Sequence, residues 1–447
     1  MKRLIALLAA AALICGGCSD KNKNSSSESS QDTSVSAEET TAEESSESSE
    51  EGPSGKKQEK KSDKSSGKSE GSQKAESSQT SQEGSEEEAP AEVVESAEFA
   101  EVKMNLNILD AESAPNATKI SIDFSAYPDY MIYGAASSGD ALWLTGIDEN
   151  NSDDPFMLLF KYDIAQEKLS EVARYNMEST YVPGTSQIYY AGGKLICDVY
   201  SRNDTGDVPT SRVGEINMTT GEITLLAEGE GWIAAANGDF LSLIESDFSD
   251  LPEDDYNIVL KKFDLSTKEI KEIYSGLNSG WWSDYPGEKA VVTPKEDEDY
   301  AISFAVETDR CSIDPELAGC VVDPDTGSMT LSGVSKNSVL FVQRSIGEAP
   351  KKLHAFDLRS KEHLTMNISS LPDQFTQAGD SLICADPWGM IHTIYCVSPL
   401  IGTAFPLDGL QIDYGLPIVR YCEGVSTVSG IHKVTADSPE YVVYEIK

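Results

Sequence analysis

The sequence predicts an all-β fold assembled from repeated hairpins and closed on itself, and three observations predict it. An octapeptide at 263–270, Phe-Asp-Leu-Ser-Thr-Lys-Glu-Ile, returns in near copies at 162–169, 216–223, 322–329 and 356–363 and in a more diverged form at 397–404. The residues beside these copies come in short runs of strand formers, 258–260 before one and the alternating 223–225 and 329–331 after two others, which is the period of a strand and not of a helix. The two halves of one further copy lie at opposite ends of the part of the chain that can fold.

The octapeptide has the chemistry of a tight turn. An Asp or Asn that bonds its own backbone two residues on, then Ser or Thr, then Gly or Lys, suits a type I turn ending in a bulge residue at positive φ. Gly221, Gly327 and Gly402 occupy the slot where that conformation is cheapest. Two more strands precede each turn, as at 131–135 and 141–146, 186–190 and 194–200, and 232–236 and 240–244, with tight turns at 137–140, 192–193 and 237–239.

The split copy closes the ring. Residues 118–124 open like the second half of the octapeptide, and 443–447 match its first half, so the chain stops inside a turn. A toroid whose last sheet takes its outer strand from the N-terminal segment leaves no sheet edge unpaired. That architecture is a β-propeller preceded by a tether. Turns centred on Asp163, Asn217, Asp264, Asp323, Asp357, Ser398 and Glu445 give seven blades. Most intervals fit the about 40 to 50 residues of a four-stranded blade. The 34-residue interval from Asp323 to Asp357 is short and the 59-residue interval before it long, so six and eight blades are also compatible, and 289–319 is where the count would fail.

The N-terminal quarter is of another kind. Lys2 and Arg3, an apolar run over 4–14 and then Cys15-Gly16-Gly17-Cys18 have the layout of a secretory signal, too short to span a bilayer. The Gly-Gly-Cys ending resembles a bacterial lipoprotein box. The resemblance implies acylation of Cys18 as the new N-terminus after removal of the signal, and an address on the outer face of the cytoplasmic membrane. Cys15 stands where such boxes usually carry Leu. Residues 19–98 are Ser, Glu, Lys, Gln and Gly with almost no large apolar side chains, and cannot bury enough surface to offset the entropy of ordering. They form a disordered tether with a span of about 50 Å, and a basic island at 56–68 sits inside it. Residues 99–447 form the propeller domain.

Charge excludes one class of partner. The chain carries a formal net charge of -41, and the excess extends through the folded part. Phosphate backbones would repel such a surface, so nucleic acid is not a partner. The connections between second and third strands are long and acidic. They hold Asp148, Glu149, Asp153 and Asp154; Asp204 and Asp207; Glu245, Asp247, Asp250, Glu253, Asp254 and Asp255; and residues 296–299. Ring closure would gather them on one rim, where they would attract basic protein segments with a salt-dependent pull. The competing reading is that they are solvated loop acids that keep the protein soluble. Residues 148–154 alternate oxygen donors as a calcium loop does, but lack its glycine and its distal Glu.

Aromatic residues fall where interblade loops enter the inner strands: Trp232, Trp281, Trp282 and Tyr285, with Tyr130 and Tyr181 at comparable positions. They would stack on sugar rings or apolar side chains, or else pack blades together. Trp388 is a further contact residue on this reading. Catalysis finds little support. The four histidines, 354, 363, 392 and 432, form no metal-binding pair in sequence, and the folded part has no Gly-x-Ser-x-Gly elbow. No catalytic residue, cofactor or metal is expected. Six cysteines follow the lipobox, of which Cys384 with Cys396 and Cys311 with Cys320 are placed to pair if the compartment oxidises them. Otherwise all six are small buried hydrophobes.

By these repeats the chain is similar, over about residues 118–447, to the bacterial extracytoplasmic propellers that include the TolB-like and quinoprotein-like groups. The resemblance implies architecture and is nearly silent on chemistry. The expected function is a membrane-anchored binding module for a protein or glycan at the cell envelope. The alternatives are a propeller-type glycan hydrolase or lyase and a non-catalytic structural part of an envelope complex.

Overall fold

The computed structural model describes residues 93–447 except 112–115, 149–155, 177–180, 202–209, 248–256, 278–289, 296–302, 316–317, 319, 321–326, 346–350, 387–392 and 423. The described residues belong to one compact unit, Ser85–Lys447. They form β-strands joined by turns, with single-turn 3-10 helices at Ser96–Glu98 and Pro399–Ile401. None of their helices is long and apolar enough to cross a membrane.

The fold is an all-β propeller. Five sheets are separate blades of four or five strands. In chain order the blades start at Val182–Ala191, Trp232–Asn237, Ala290–Lys295, Gly327–Val334 and Gln374–Ala378. Each runs outward as an antiparallel meander. A sixth sheet has eight strands. It contains two meanders, Tyr130–Ser137 to Lys168–Asn176 and Tyr414–Cys422 to Glu440–Ile446, joined where Ile431, His432 and Lys433 pair with Tyr133, Ile132 and Met131.

Five of the octapeptide turns form as the sequence predicts. Asp264 Oδ1 accepts from the Ser266 and Thr267 N–H groups at 2.8 and 2.9 Å, and Asn217 Oδ1 from Thr219 and Thr220 at 2.9 and 3.1 Å. The residue four places after each leading side chain lies at positive φ: Glu167 at 50°, Gly221 at 74°, Lys268 at 61°, Lys361 at 56° and Gly402 at 67°. The Asp323 copy departs from the pattern. Its turn, 321–326, lies outside the described residues, and Gly327 opens an inner-edge strand that pairs forward with Ser338–Ser345. The hairpin between Ser303–Thr308 and Cys311–Ile313 turns instead at Asp309-Arg310, a site with no octapeptide. This is the region where the spacing was irregular.

Strand β4 (Ala117–Asp123) closes the molecule. It pairs antiparallel with the last strand, Glu440–Ile446, from Glu440 opposite Asp123 to Ile446 opposite Ala117. Ahead of it run three short strands that composition did not reveal: β1 (Val94–Glu95), β2 (Ala100–Lys103) and β3 (Asn107–Ile108). Each lies parallel on the outer edge of a different blade, β1 on Cys311–Ile313, β2 on Glu362–Asn367 and β3 on Thr403–Pro406. Four successive outer edges are therefore covered by one continuous stretch of chain. Strand β1 lies inside the stretch that composition assigns to the tether.

The core lies between the sheets. Leu340, Leu353 and Leu364 of one blade meet Leu382, Cys384 and Val397 of the next, with Val102, Met104 and Leu106 of the N-terminal belt packed against them. Comparable clusters join Tyr189 and Ile196 to Ile233 and Phe263, and Ile383 and Phe405 to Val428 and Tyr444. Face-to-face burial of this kind is the main stabilising term, at about 25 cal/mol per Å² of apolar surface.

Candidate functional site

Two of the acidic connections leave their meanders at equivalent places, whereas residues 296–299, expected between second and third strands, follow Ala290–Lys295, the first strand of its blade. Asp148 ends Ala141–Asp148 and Asp247 ends Phe240–Asp247, each the second strand of its meander. Asp148 is half-buried, opposite Tyr130 in the register. Asp154 and Asp254 lie outside the described residues, as do Trp281, Trp282, Tyr285, Trp388 and His392. Tyr130 packs on Tyr127, and Tyr181 lies under the Arg212 guanidinium at 5.8 Å, so both serve blade packing.

Trp232 begins its blade stacked on Tyr200, with ring centroids 5.2 Å apart and planes 20° from parallel. Tyr200 ends the second strand of the preceding blade, and its hydroxyl donates to Gln187 Oε1 at 3.0 Å. Both rings are half-buried. Beneath them Asp198 is fully buried, its Oδ1 accepting from the Ile233 N–H at 3.0 Å and its Oδ2 without a hydrogen-bond partner among the described residues. Burial pushes the Asp198 carboxyl up to about 8, against the Ile233 hydrogen bond and the positive charge of Arg420. A carboxyl so placed is protonated at neutral pH and can donate a hydrogen bond. The aromatic pair was partly legible in sequence through Trp232. Asp198 was not, because a single acid in an apolar strand carries no marker of its burial.

The cysteines do not pair as the sequence allowed. Cys384 lies opposite Tyr395 and Cys396 opposite Ile383, so their side chains emerge on opposite faces of one sheet. Cys384 joins the cluster with Leu340 and Leu353, and Cys396 the cluster with Phe405 and Val428. Cys311 and Cys320 are also free. Cys311 Sγ lies 3.3 Å from Thr308 Oγ1, whereas Cys320 Sγ lies 3.4 Å from His354 Nδ1 and 3.6 Å from His363 Nε2. Cys197 is buried and free as well. Alternate burial in a strand, not loop length, decides which sulfur atoms meet.

The two histidines thus have a relation that their sequence positions conceal. His363 pairs across the hairpin with Phe356, two residues from His354, which puts both imidazoles on one face with their facing nitrogens 3.0 Å apart. The His363 ring stacks on Phe356 at 4.4 Å. This relation was missed in the sequence, although the octapeptide at 356–363 fixes the register that puts both rings on one face and was the signal that could have shown it. The approach of Cys320 had no such signal.

No protein-family model matches the sequence, and no curated protein matches it. Among solved structures the chain is similar to an oligogalacturonate lyase from Vibrio parahaemolyticus, at 10% identity and a TM-score of 0.44, covering 74% of this chain and 97% of that one. It is also similar to the β-propeller domain of the Trilobed protease from Pyrococcus furiosus, at 11% identity and a TM-score of 0.40, covering 71% and 96%. The assignment of the fold rests on the strand order and register described above.

Proposed function

We infer that the chain is a membrane-anchored extracytoplasmic propeller that acts as a binding module for a protein or glycan at the cell envelope, using the rim where its acidic connections emerge. Counted with the eight-stranded sheet as two blades, it is seven-bladed, with a lipid on Cys18 and a tether that ends before β1 carrying it away from the bilayer. The observation that carries this reading is the exit of two acidic connections from the second strands of their meanders, at Asp148 and at Asp247. The covered outer edges support it, because β1, β2 and β3 run along the sides of the blades and not at the strand ends from which the acidic connections leave. Acids gathered at one rim favour a cationic protein segment over a neutral glycan.

The test is binding of a defined Lys-rich peptide and of a panel of neutral and acidic glycans to the full chain, at low and high salt. The account expects peptide binding that weakens as salt is raised and falls further when Asp247 and Asp254 are both changed to Asn. Salt-independent glycan binding, abolished by Trp232→Ala, would move the ligand to the aromatic pair. Turnover of a glycan, abolished by Asp198→Asn, would replace the binding module with the hydrolase or lyase.

A further inference from the structure

We propose that Cys320, His354 and His363 form a binding site for one thiophilic d10 cation, zinc(II) or copper(I), that staples two neighbouring blades together. The three donor atoms lie within 4.8 Å of one another, and all three residues are buried. Their separations are 3.0 Å between the nitrogens and 3.4 and 3.6 Å from sulfur to each nitrogen. A tetrahedral ion with metal–nitrogen bonds of about 2.0–2.1 Å and a metal–sulfur bond of about 2.3 Å needs edges of about 3.3 and 3.6 Å. The triangle therefore accepts an ion after the two imidazoles part by a few tenths of an ångström.

The surroundings have the features of a ligand shell. His354 Nε2 lies 3.0 Å from Gln343 Oε1, and donation to that oxygen fixes the tautomer that leaves the Nδ1 lone pair facing the cluster. His363 Nδ1 is buried without a hydrogen-bond partner among the described residues, so one side of its ring is desolvated without compensation. Burial holds both imidazoles neutral, His354 down to about 3, which keeps their nitrogens available as ligands. The thiol is pushed up to about 12 by burial, so the ion must displace one proton from Cys320 into solvent as the sulfur–metal bond forms. Where His363 Nε2 carries the proton shared with His354, that proton moves to Nδ1 with no net release. One thiolate and two imidazoles suit zinc or copper and exclude magnesium and calcium.

The position gives the ion a role. Cys320 follows the strand Cys311–Ile313 of one blade, while both histidines stand on the outer hairpin of the next, with Glu101 of β2 opposite His363 in the register. An ion here would tie the segment after the first blade to the hairpin of the second, under the N-terminal belt.

The experiment is titration of the reduced, metal-free full chain with cobalt(II) as a spectroscopic substitute for zinc, with zinc(II), and with copper(I) against a competing chelator. Magnesium(II) serves as the control for binding by surface acids. The account predicts one tightly bound equivalent of zinc or copper, a sulfur-to-cobalt charge-transfer band, and a rise in Tm that magnesium does not give. Cys320→Ser should abolish the band, and His363→Gln should weaken binding at least tenfold. X-ray absorption on the loaded wild-type chain tests the same point without relying on a variant that must fold, and should find one sulfur and two imidazoles. Absence of stoichiometric binding by all three ions, an oxygen-only shell, or affinity unchanged in both variants would overturn the proposal.

Discussion

Asp198 makes the stability of this protein depend on pH in a direction opposite to that of most carboxylates. In the unfolded chain the group ionises near about 4, whereas in the folded protein burial holds it up to about 8. The folded state binds more protons between those values, so the contribution is complete below about 4 and is lost as pH rises toward 8. The groups that face it are the Ile233 N–H, Arg420, Tyr200 and Cys197. Asp198→Asn should therefore be more stable than wild type at pH 8, by roughly 1–2 kcal/mol, with the difference shrinking toward pH 4; denaturant unfolding at both pH values measures this. At the same scale, the left-handed slot of the turns was legible from sequence because it depends on one residue's backbone. Lys268 and Lys361 tolerate it on exposed turns. Gly221 cannot be replaced so cheaply, since a Cβ there meets Ala173 Cβ, and Tyr175 Oη donates to its carbonyl at 2.6 Å. Gly221→Ala should cost about 2–3 kcal/mol in the same measurement.

Among the elements, the belt formed by β1, β2 and β3 is what sequence reading missed, and the reason is physical. Its strands are two to four residues long, and they gain their conformation from blade edges more than 200 residues away. Neither local propensity nor alternation can register at that length. Val94 and Phe99, then Val102, Met104 and Leu106, then Leu109 insert into three successive interblade clusters. Only the stretch up to Glu98, with β1 inside it, was assigned to the tether, because its composition continues that of the residues before it. The belt covers edges that would otherwise invite pairing with another chain. Val102→Asp places a charge against Leu364 and Met366 and should lower stability by about 2 kcal/mol or more, with concentration-dependent association visible by light scattering. A variant that stays monomeric at wild-type stability would show that the belt is an ornament of the edge and not its cover.

At the scale of the whole molecule, what the sequence carried was the repeat, and what it hid was convergence. Five turns and the strand pairs before them could be read because each is fixed by neighbours in the chain, and the split unit because each of its halves matches part of the same local motif. Cys320 meeting His354 and His363, Trp232 meeting Tyr200, and Cys384 turning away from Cys396 depend on which faces are buried between blades, and only the folded sheets decide that. The 34-residue interval misled for a related reason, since the octapeptide at 322–329 reproduces the turn chemistry without occupying a hairpin between third and fourth strands. All of these placements presuppose that the ring is closed by β4 on the last strand. Hydrogen exchange on the full chain tests this most directly. The amides of Ala117–Asp123 and Glu440–Ile446 should exchange together, as slowly as those of Phe156–Asp163, the third strand of its meander and paired on both sides. Rapid exchange of Ala117–Asp123, at the rate of unprotected amides and independent of Glu440–Ile446, would contradict closure and with it the gathering of acidic connections on one rim.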